Sequence, residues 1–197
     1  MQISLRLLGR RRFLPLFATQ FLGAFNDNLY KSAMVILVTY AIYSDETKEA
    51  SFNAIAGGLF ILPFFLFSAL AGQLADSMDK ARIIRFVKTA EIAIMVFGAA
   101  GLILHSVPLL LTALFAMGVH SSFFGPIKYA ILPQHLHKDE VLGGTGLVEA
   151  GTYGAILLGT IAGGLLGRNY YEIAAVGVLV VAGLGWITGR MVPAAPP

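Results

Sequence analysis

The chain has 197 residues, of which 57% are hydrophobic and 13% charged, where soluble domains hold roughly 45–50% and about 25%. With a mean hydropathy of +0.76 this excludes an ordinary water-soluble core, and long unbroken apolar runs exclude a barrel, whose strands alternate over about ten residues. The absence of cysteine removes disulfide, thiol and Cys-metal chemistry. The formal charge of +3 is spent on membrane topology rather than on nucleic acid, as its placement shows.

A membrane-crossing helix needs about 20 mainly apolar residues, and six segments satisfy this: residues 13–43, 53–75, 83–104, 108–131, 141–167 and 173–189. The first begins behind Arg10, Arg11 and Arg12, as a signal peptide would. No small-residue cleavage site follows, however, and Asn26-Asp27-Asn28 comes instead, so it reads as an uncleaved span. The third and fourth share an uncharged run over residues 92–127, 36 residues long, which His105-Ser106-Val107-Pro108 breaks in two. The end, Val192-Pro193-Ala194-Ala195-Pro196-Pro197, cannot continue a helix and reads as the start of a linker. The expected architecture is therefore an all-α membrane protein with a six-helix bundle over residues 1–191 and a Pro/Ala-rich linker beginning at 192–197.

Basic residues orient the bundle. One side carries Arg6, Arg10, Arg11, Arg12, Lys80, Arg82, Arg85, Lys88, Lys128, Lys138 and Arg190; the other has only Lys48 and Arg168. This eleven-to-two imbalance predicts that both termini are cytoplasmic.

Ionisable groups at membrane depth cost about 2.5–3.5 kcal/mol each on insertion scales, so each needs a purpose. Asp27 and Lys31 are four apart in the first span, hence on one helical face and able to pair; the polar patch reads as functional ahead of a pair that only locks the helix to its neighbours. Glu149 in the fifth span has no partner four residues away and needs one from another helix or from solute. Glu91 has Lys88 three residues back and reads as a pair near the interface. His120, beside Ser121 and Ser122, reads as a helix contact. Gly151, Ala155, Gly159, Gly163 and Gly167 recur every four residues as a smooth helix-packing ridge, and Pro63 is a candidate kink. No phosphate loop, Gly-x-Ser-x-Gly or His-Glu-x-x-His occurs. His135 and Asp139 are one residue short of an acyltransferase box, and His135 with His137 reads as solvated rather than metal-binding. Neither an enzyme nor a cofactor or metal site is expected.

The stretch Gly72-Gln73-Leu74-Ala75-Asp76-Ser77-Met78-Asp79-Lys80-Ala81-Arg82 resembles the loop motif of the major facilitator superfamily between its second and third helices, Gly-x-Leu-Ala-Asp-Arg-x-Gly-Arg-Lys. Gly72, Leu74, Ala75, Asp76 and Lys80 fit; Ser77, Asp79 and Ala81 differ, with Arg82 a stand-in base. Gln20-Phe21-Leu22-Gly23-Ala24-Phe25-Asn26-Asp27-Asn28 is similar to the first helix of that superfamily's lysophospholipid transporter branch. Gly125-Pro126-Ile127-Lys128-Tyr129-Ala130-Ile131-Leu132-Pro133 and Gly146-Leu147-Val148-Glu149-Ala150 resemble the same branch, with Thr145 standing where Asn is expected.

This resemblance implies the N-terminal half of a twelve-helix transporter that moves lysophospholipid, chiefly lysophosphatidylethanolamine, inward across the bacterial inner membrane. Asp27, Asn28, Lys31, Lys128 and Glu149 are then the candidate substrate-binding residues, and Gly72, Asp76, Lys80 and Arg82 the conformational latch. The implied partners are membrane lipid, a second six-helix half or second copy, and a fused or separate acyltransferase. Two other readings remain open: a facilitator for a small polar solute or drug, and a membrane anchor that presents substrate to attached acyltransferase domains.

Overall fold

The computed structural model describes residues 6–43 and 45–196, and among these the regular structure is entirely helical. Six long helices follow in order: α1 Leu14–Leu37, prolonged by a π-turn over Val38–Ile42, α2 Glu46–Ser77, α3 Lys80–Leu104, α4 Val107–Ala130, α5 Val141–Asn169 and α6 Tyr171–Arg190. A short helical turn, Leu132–His135, lies between α4 and α5. Each segment of the sequence reading holds one of these helices, but charged residues extend several of them. Asp45 starts α2 seven residues early by accepting from the backbone N–H groups of Thr47 and Lys48 at 2.8 and 3.3 Å. Asp79 caps α3 in the same way through Ala81 and Arg82, at 2.8 and 3.2 Å. The uncharged run breaks at His105, which takes a left-handed conformation with φ 51° and returns its N–H to Gly101.

Five helices, α2 to α6, are long and apolar enough to cross a membrane. α1 is long enough but is diluted by Gln20, Asn26, Asp27, Asn28 and Lys31.

The small-residue ridge of α5 presses on α1. A Cβ added at Gly167 would come within 2.6 Å of the Ala33 carbonyl, and at Gly159 and Gly163 it would strike the carbonyls of Phe25 and Leu29. Phe25, Leu29 and Ala33 are themselves four apart, so two i, i+4 rows interlock and the two helices run parallel with their backbones almost touching. α2 meets α4 as closely, because Gly118 leaves room for the Phe60 carbonyl and Pro63. Gly163→Leu should therefore lower stability by roughly 1–3 kcal/mol or more through overpacking. Gly164→Leu, where a Cβ meets nothing within 4 Å, should cost little; thermal unfolding in detergent compares the two.

The end of the bundle that holds Arg10, Arg12 and residues 192–196 is tied together by polar contacts. Arg12 grips Glu140 with Nη2 at 2.8 and 2.6 Å from its two oxygens, and Arg10 joins at 3.2 Å. The His137 backbone N–H, then Arg12 and Arg10, hold the Glu140 carboxyl below the usual carboxylate range. Residues 192–196 fold back against the start of α3: Val192 and Ala195 are buried, Ala195 N donates to Asp79, and Lys80 N donates to the Ala195 carbonyl. Burial opposes ionisation of Asp79, but the backbone donors of Ala195, Arg82 and Ala81 outweigh it and keep its pKa low. Both carboxylates thus stabilise this end above their unfolded pKa and lose that contribution as the pH falls.

Candidate functional site

Successive residues of a helix point about 100° apart, so one helix can address two neighbours from adjacent positions. α1 does this with Asn26 and Asp27, and α4 with His120 and Ser121. Asn26 Nδ2 donates to Glu91 Oε1 at 3.1 Å, and His120 Nε2 stands 3.3 Å from Glu91 Oε2. The other members of the two pairs meet each other, with Ser121 Oγ donating to Asp27 Oδ2 at 2.6 Å. Glu91 of α3 thereby fixes α1 against α4, and Asp27 with them.

Glu91 is held in turn by Lys88, whose Nζ lies 2.6 Å from Oε2. The i, i+3 pair expected from the spacing is present, and both side chains are almost wholly buried, at 0% and 1% exposure. Three glycines on other helices make the space. A Cβ at Gly23 would stand 2.7 Å from Lys88 Nζ, and at Gly185 and Gly189 it would contact the lysine stem and head at 3.2–3.8 Å. The Phe124 ring lies under the ammonium, 5.1 Å from its centroid.

Asp27 opens onto a cavity of about 360 Å³ between α1, α2, α4 and α5. Asn28, Lys31 and Lys128 line it too, as do Gln20, Phe60, Phe64 and Thr152. Four of the five candidate binding residues thus share one cavity. Asp27 does not pair with Lys31, although the spacing would allow it. Lys31 turns toward α2, with Nζ 5.2 Å above the Phe60 ring, and among the described residues it makes no ion pair. The i, i+4 spacing permitted the pair, but the neighbouring helices offered each side chain a different partner. Lys128 Nζ donates to Thr152 Oγ1 at 3.2 Å, and Thr152 Oγ1 lies 2.8 Å from Gln20 Oε1. Asp27 Oδ1 and Gln20 Nε2 have no hydrogen-bond partner among the described residues. Buried polar atoms left unpaired are rare enough to need a reason.

The remaining candidates lie elsewhere. Glu149 does not line the cavity; it accepts from the Tyr129 hydroxyl at the end of α4. Thr145 bonds its own helix, donating to the Val141 carbonyl at 2.9 Å. Gly72, half-buried, and Asp76, exposed, occupy the last turns of α2. The polar hub of that loop is Asp79, which the motif comparison counted as a departure. Lys80 is buried and Arg82 exposed. Sequence reasoning gave the Lys88–Glu91 pair no place in the site; the signal lay in Gly23, Gly185 and Gly189, far apart in the chain.

Among the described residues no group of three or more His, Asp or Glu side chains could hold a metal.

The family model described as the Major Facilitator Superfamily matches residues 16–197. Curated relatives named "Lysophospholipid transporter LplT" are similar over most of the chain. That of Enterobacter sp. (strain 638) is 30% identical over 190 residues, covering 96% of this chain and 45% of the relative. Those of Salmonella newport (strain SL254) and Salmonella heidelberg (strain SL476) are 32% identical over 178 residues, covering 90% of this chain and 42% of theirs. The chain thus spans less than half the length of these relatives. With helices apolar enough to cross a bilayer and a family match over nearly its whole length, this is an integral membrane protein, and the chain belongs to the major facilitator superfamily.

Proposed function

We propose that residues 1–191 are the first, six-span half of a twelve-helix lysophospholipid transporter of a bacterial inner membrane, and that 192–197 lead toward the second half. The observation that carries this is the orphan Asp27 Oδ1 in a cavity that also presents Lys31 and Lys128. An acceptor-only carboxylate beside two donor-only ammonium groups complements a zwitterionic headgroup: ethanolamine ammonium to Asp27, phosphate to Lys128 or Lys31. The name borne by the relatives supports the same substrate class. α1 counts as a span in this reading because it runs beside α5 from Phe17 to Ala33 and so crosses the layer that α5 crosses.

The open side of the cavity would face the second half, or a second copy, in the way substrate sits between the halves of such transporters. Asp76, exposed in the last turns of α2, would engage that half and bias the gate, and Gly72, Lys80 and Arg82 would shape the same loop. Glu149 would pair with a base of the second half. A fused or separate acyltransferase would consume the delivered lysolipid.

Vesicles holding the whole protein should take up lysophosphatidylethanolamine faster than protein-free vesicles. They should not take up glycerophosphoethanolamine, the same headgroup without an acyl chain. Uptake of the chain-free compound alone would replace this reading with a polar-solute facilitator, and uptake of neither with a membrane anchor.

The eleven-to-two basic imbalance supports an orientation with both termini in the cytoplasm. Alkaline phosphatase fused after Pro197, active only in the periplasm, should stay inactive, whereas fusions in the α1–α2 loop should be active. The reverse pattern would invert the topology.

A further inference from the structure

α2 packs on α4 and α3 packs on α4, but α2 and α3 hardly touch although they are consecutive. The wedge between them is a groove of about 480 Å³, separate from the polar cavity and walled almost wholly by apolar side chains, among them Leu74, Phe86, Ala90, Ile94 and Ala116. Its one polar residue is His120, which also lines the polar cavity and stands beside Glu91.

The groove has a direction and a charged mouth. Arg82, Phe86, Ala90 and Ile94 are spaced by four and so form one row along α3. The lower three line the groove, and Arg82 heads it at the first turn of the helix. Arg82 is exposed, and its side chain has no hydrogen-bond or ion-pair partner among the described residues. The other charges of this mouth are Lys80, Arg85, Asp76 and Asp79. Arg85 donates to the Val192 carbonyl at 3.2 Å, and Asp79 is occupied by three backbone N–H groups. The balance is therefore one positive charge, with Arg82 its free member. From Arg82 to Ile94 is twelve residues, about 18 Å at 1.5 Å per residue. One leaflet of a hydrocarbon core about 30 Å thick is about 15 Å deep.

We infer that this wedge is a binding site for a bilayer phospholipid, distinct from the central cavity. One acyl chain lies along Phe86, Ala90 and Ile94, and the phosphate sits at Arg82. The length fits an acyl chain of one leaflet and is too short for a helix of a second copy, which would need the whole bilayer thickness. The chain's end covers His120, which keeps lipid-side water from the buried Lys88–Glu91 pair. None of this depends on what the central cavity carries.

The test uses the intact protein in phosphatidylcholine vesicles, with Phe86→Trp as reporter; Phe86 is 75% exposed, so the change is mild. The fluorescence gained over the parent protein is followed as dibrominated phosphatidylglycerol, or dibrominated phosphatidylcholine, replaces part of the lipid. Phosphatidylglycerol should quench at about fivefold lower mole fraction, as one basic residue near the surface contributes. Arg82→Ala, a surface change that leaves the fold alone, should abolish that preference. Ala116→Phe, which fills the groove, should weaken quenching by both lipids. Equal quenching by the two lipids that is unchanged by Arg82→Ala would reduce the wedge to ordinary boundary lipid. Absence of quenching by either would mean that protein fills it. Both results overturn the inference.

Discussion

Lys88→Met is expected to cost about 3–5 kcal/mol of stability, because it leaves Glu91 charged and buried without its ammonium partner. Glu91 is 1% exposed and takes Lys88 at 2.6 Å, with only an amide from Asn26 and the His120 ring besides. Neither can replace a full opposite charge. The double change Lys88→Met with Glu91→Leu should recover most of the loss, since apolar groups of similar volume often match a buried ion pair. Recovery will be incomplete because Asn26 Nδ2 then loses its acceptor. Thermal unfolding of the purified protein in detergent reads all three variants. A double mutant no more stable than the single would mean that Lys88 acts by filling the space left by Gly23, Gly185 and Gly189, rather than by its charge.

The transport readout should separate the two roles. If the pair only holds α1 against α4, the refolded double mutant should transport with a raised KM and little change in maximal rate, because Asp27 loses part of its support. If Glu91 itself meets substrate, transport should vanish while folding returns.

How much of this was legible beforehand depends on how local each signal is. The approximate positions of the helices follow from apolar runs and the breaks between them, such as the uncharged stretch divided at His105, while the caps at Asp45 and Asp79 shifted their ends. The ridge of α5 repeats within seventeen residues, and its period alone announced a close helix contact. Which helix it met was not readable, since Phe25, Leu29 and Ala33 form an ordinary apolar row. Whether Asp27 and Lys31 pair was not readable, because spacing shows only what can touch, whereas Ser121 and Phe60 decided what did. Lys88 looked peripheral because it lies about 12 Å into its helix beside basic neighbours; its burial is set by glycines on α1 and α6. Asp79 was counted as a motif mismatch, yet it caps α3 and holds the Ala195 backbone, a role that needs the fold-back of 192–196 to exist.

Asp27→Asn should weaken binding of lysophosphatidylethanolamine by about 10- to 150-fold. A hydrogen bond to a charged group contributes about 1.5–3 kcal/mol, and each 1.4 kcal/mol is about a decade. The geometry makes the substitution clean. Asn can still accept from Ser121 through its carbonyl oxygen, so the α1–α4 contact at 2.6 Å is preserved. What is lost is the charge and the free acceptor Oδ1, replaced by an amide that donates. Because Lys31 does not rely on Asp27, no buried cation is stranded, and the unfolding temperature should move little. A ligand control sharpens the result: lysophosphatidylglycerol has the phosphate and acyl chain but no ammonium, so its affinity should hold or rise as the like charge is removed. Equilibrium binding of both radiolabelled lipids to the purified whole protein measures this. Equal losses for the two lipids, or a collapse in unfolding temperature, would assign Asp27 to the helix contact and remove it from headgroup recognition. Lys128→Ala is the reciprocal case. It deletes one of the two proposed phosphate partners while leaving the Thr152 hydroxyl an acceptor in Gln20 Oε1 or the Val148 carbonyl, so it should weaken both lipids alike.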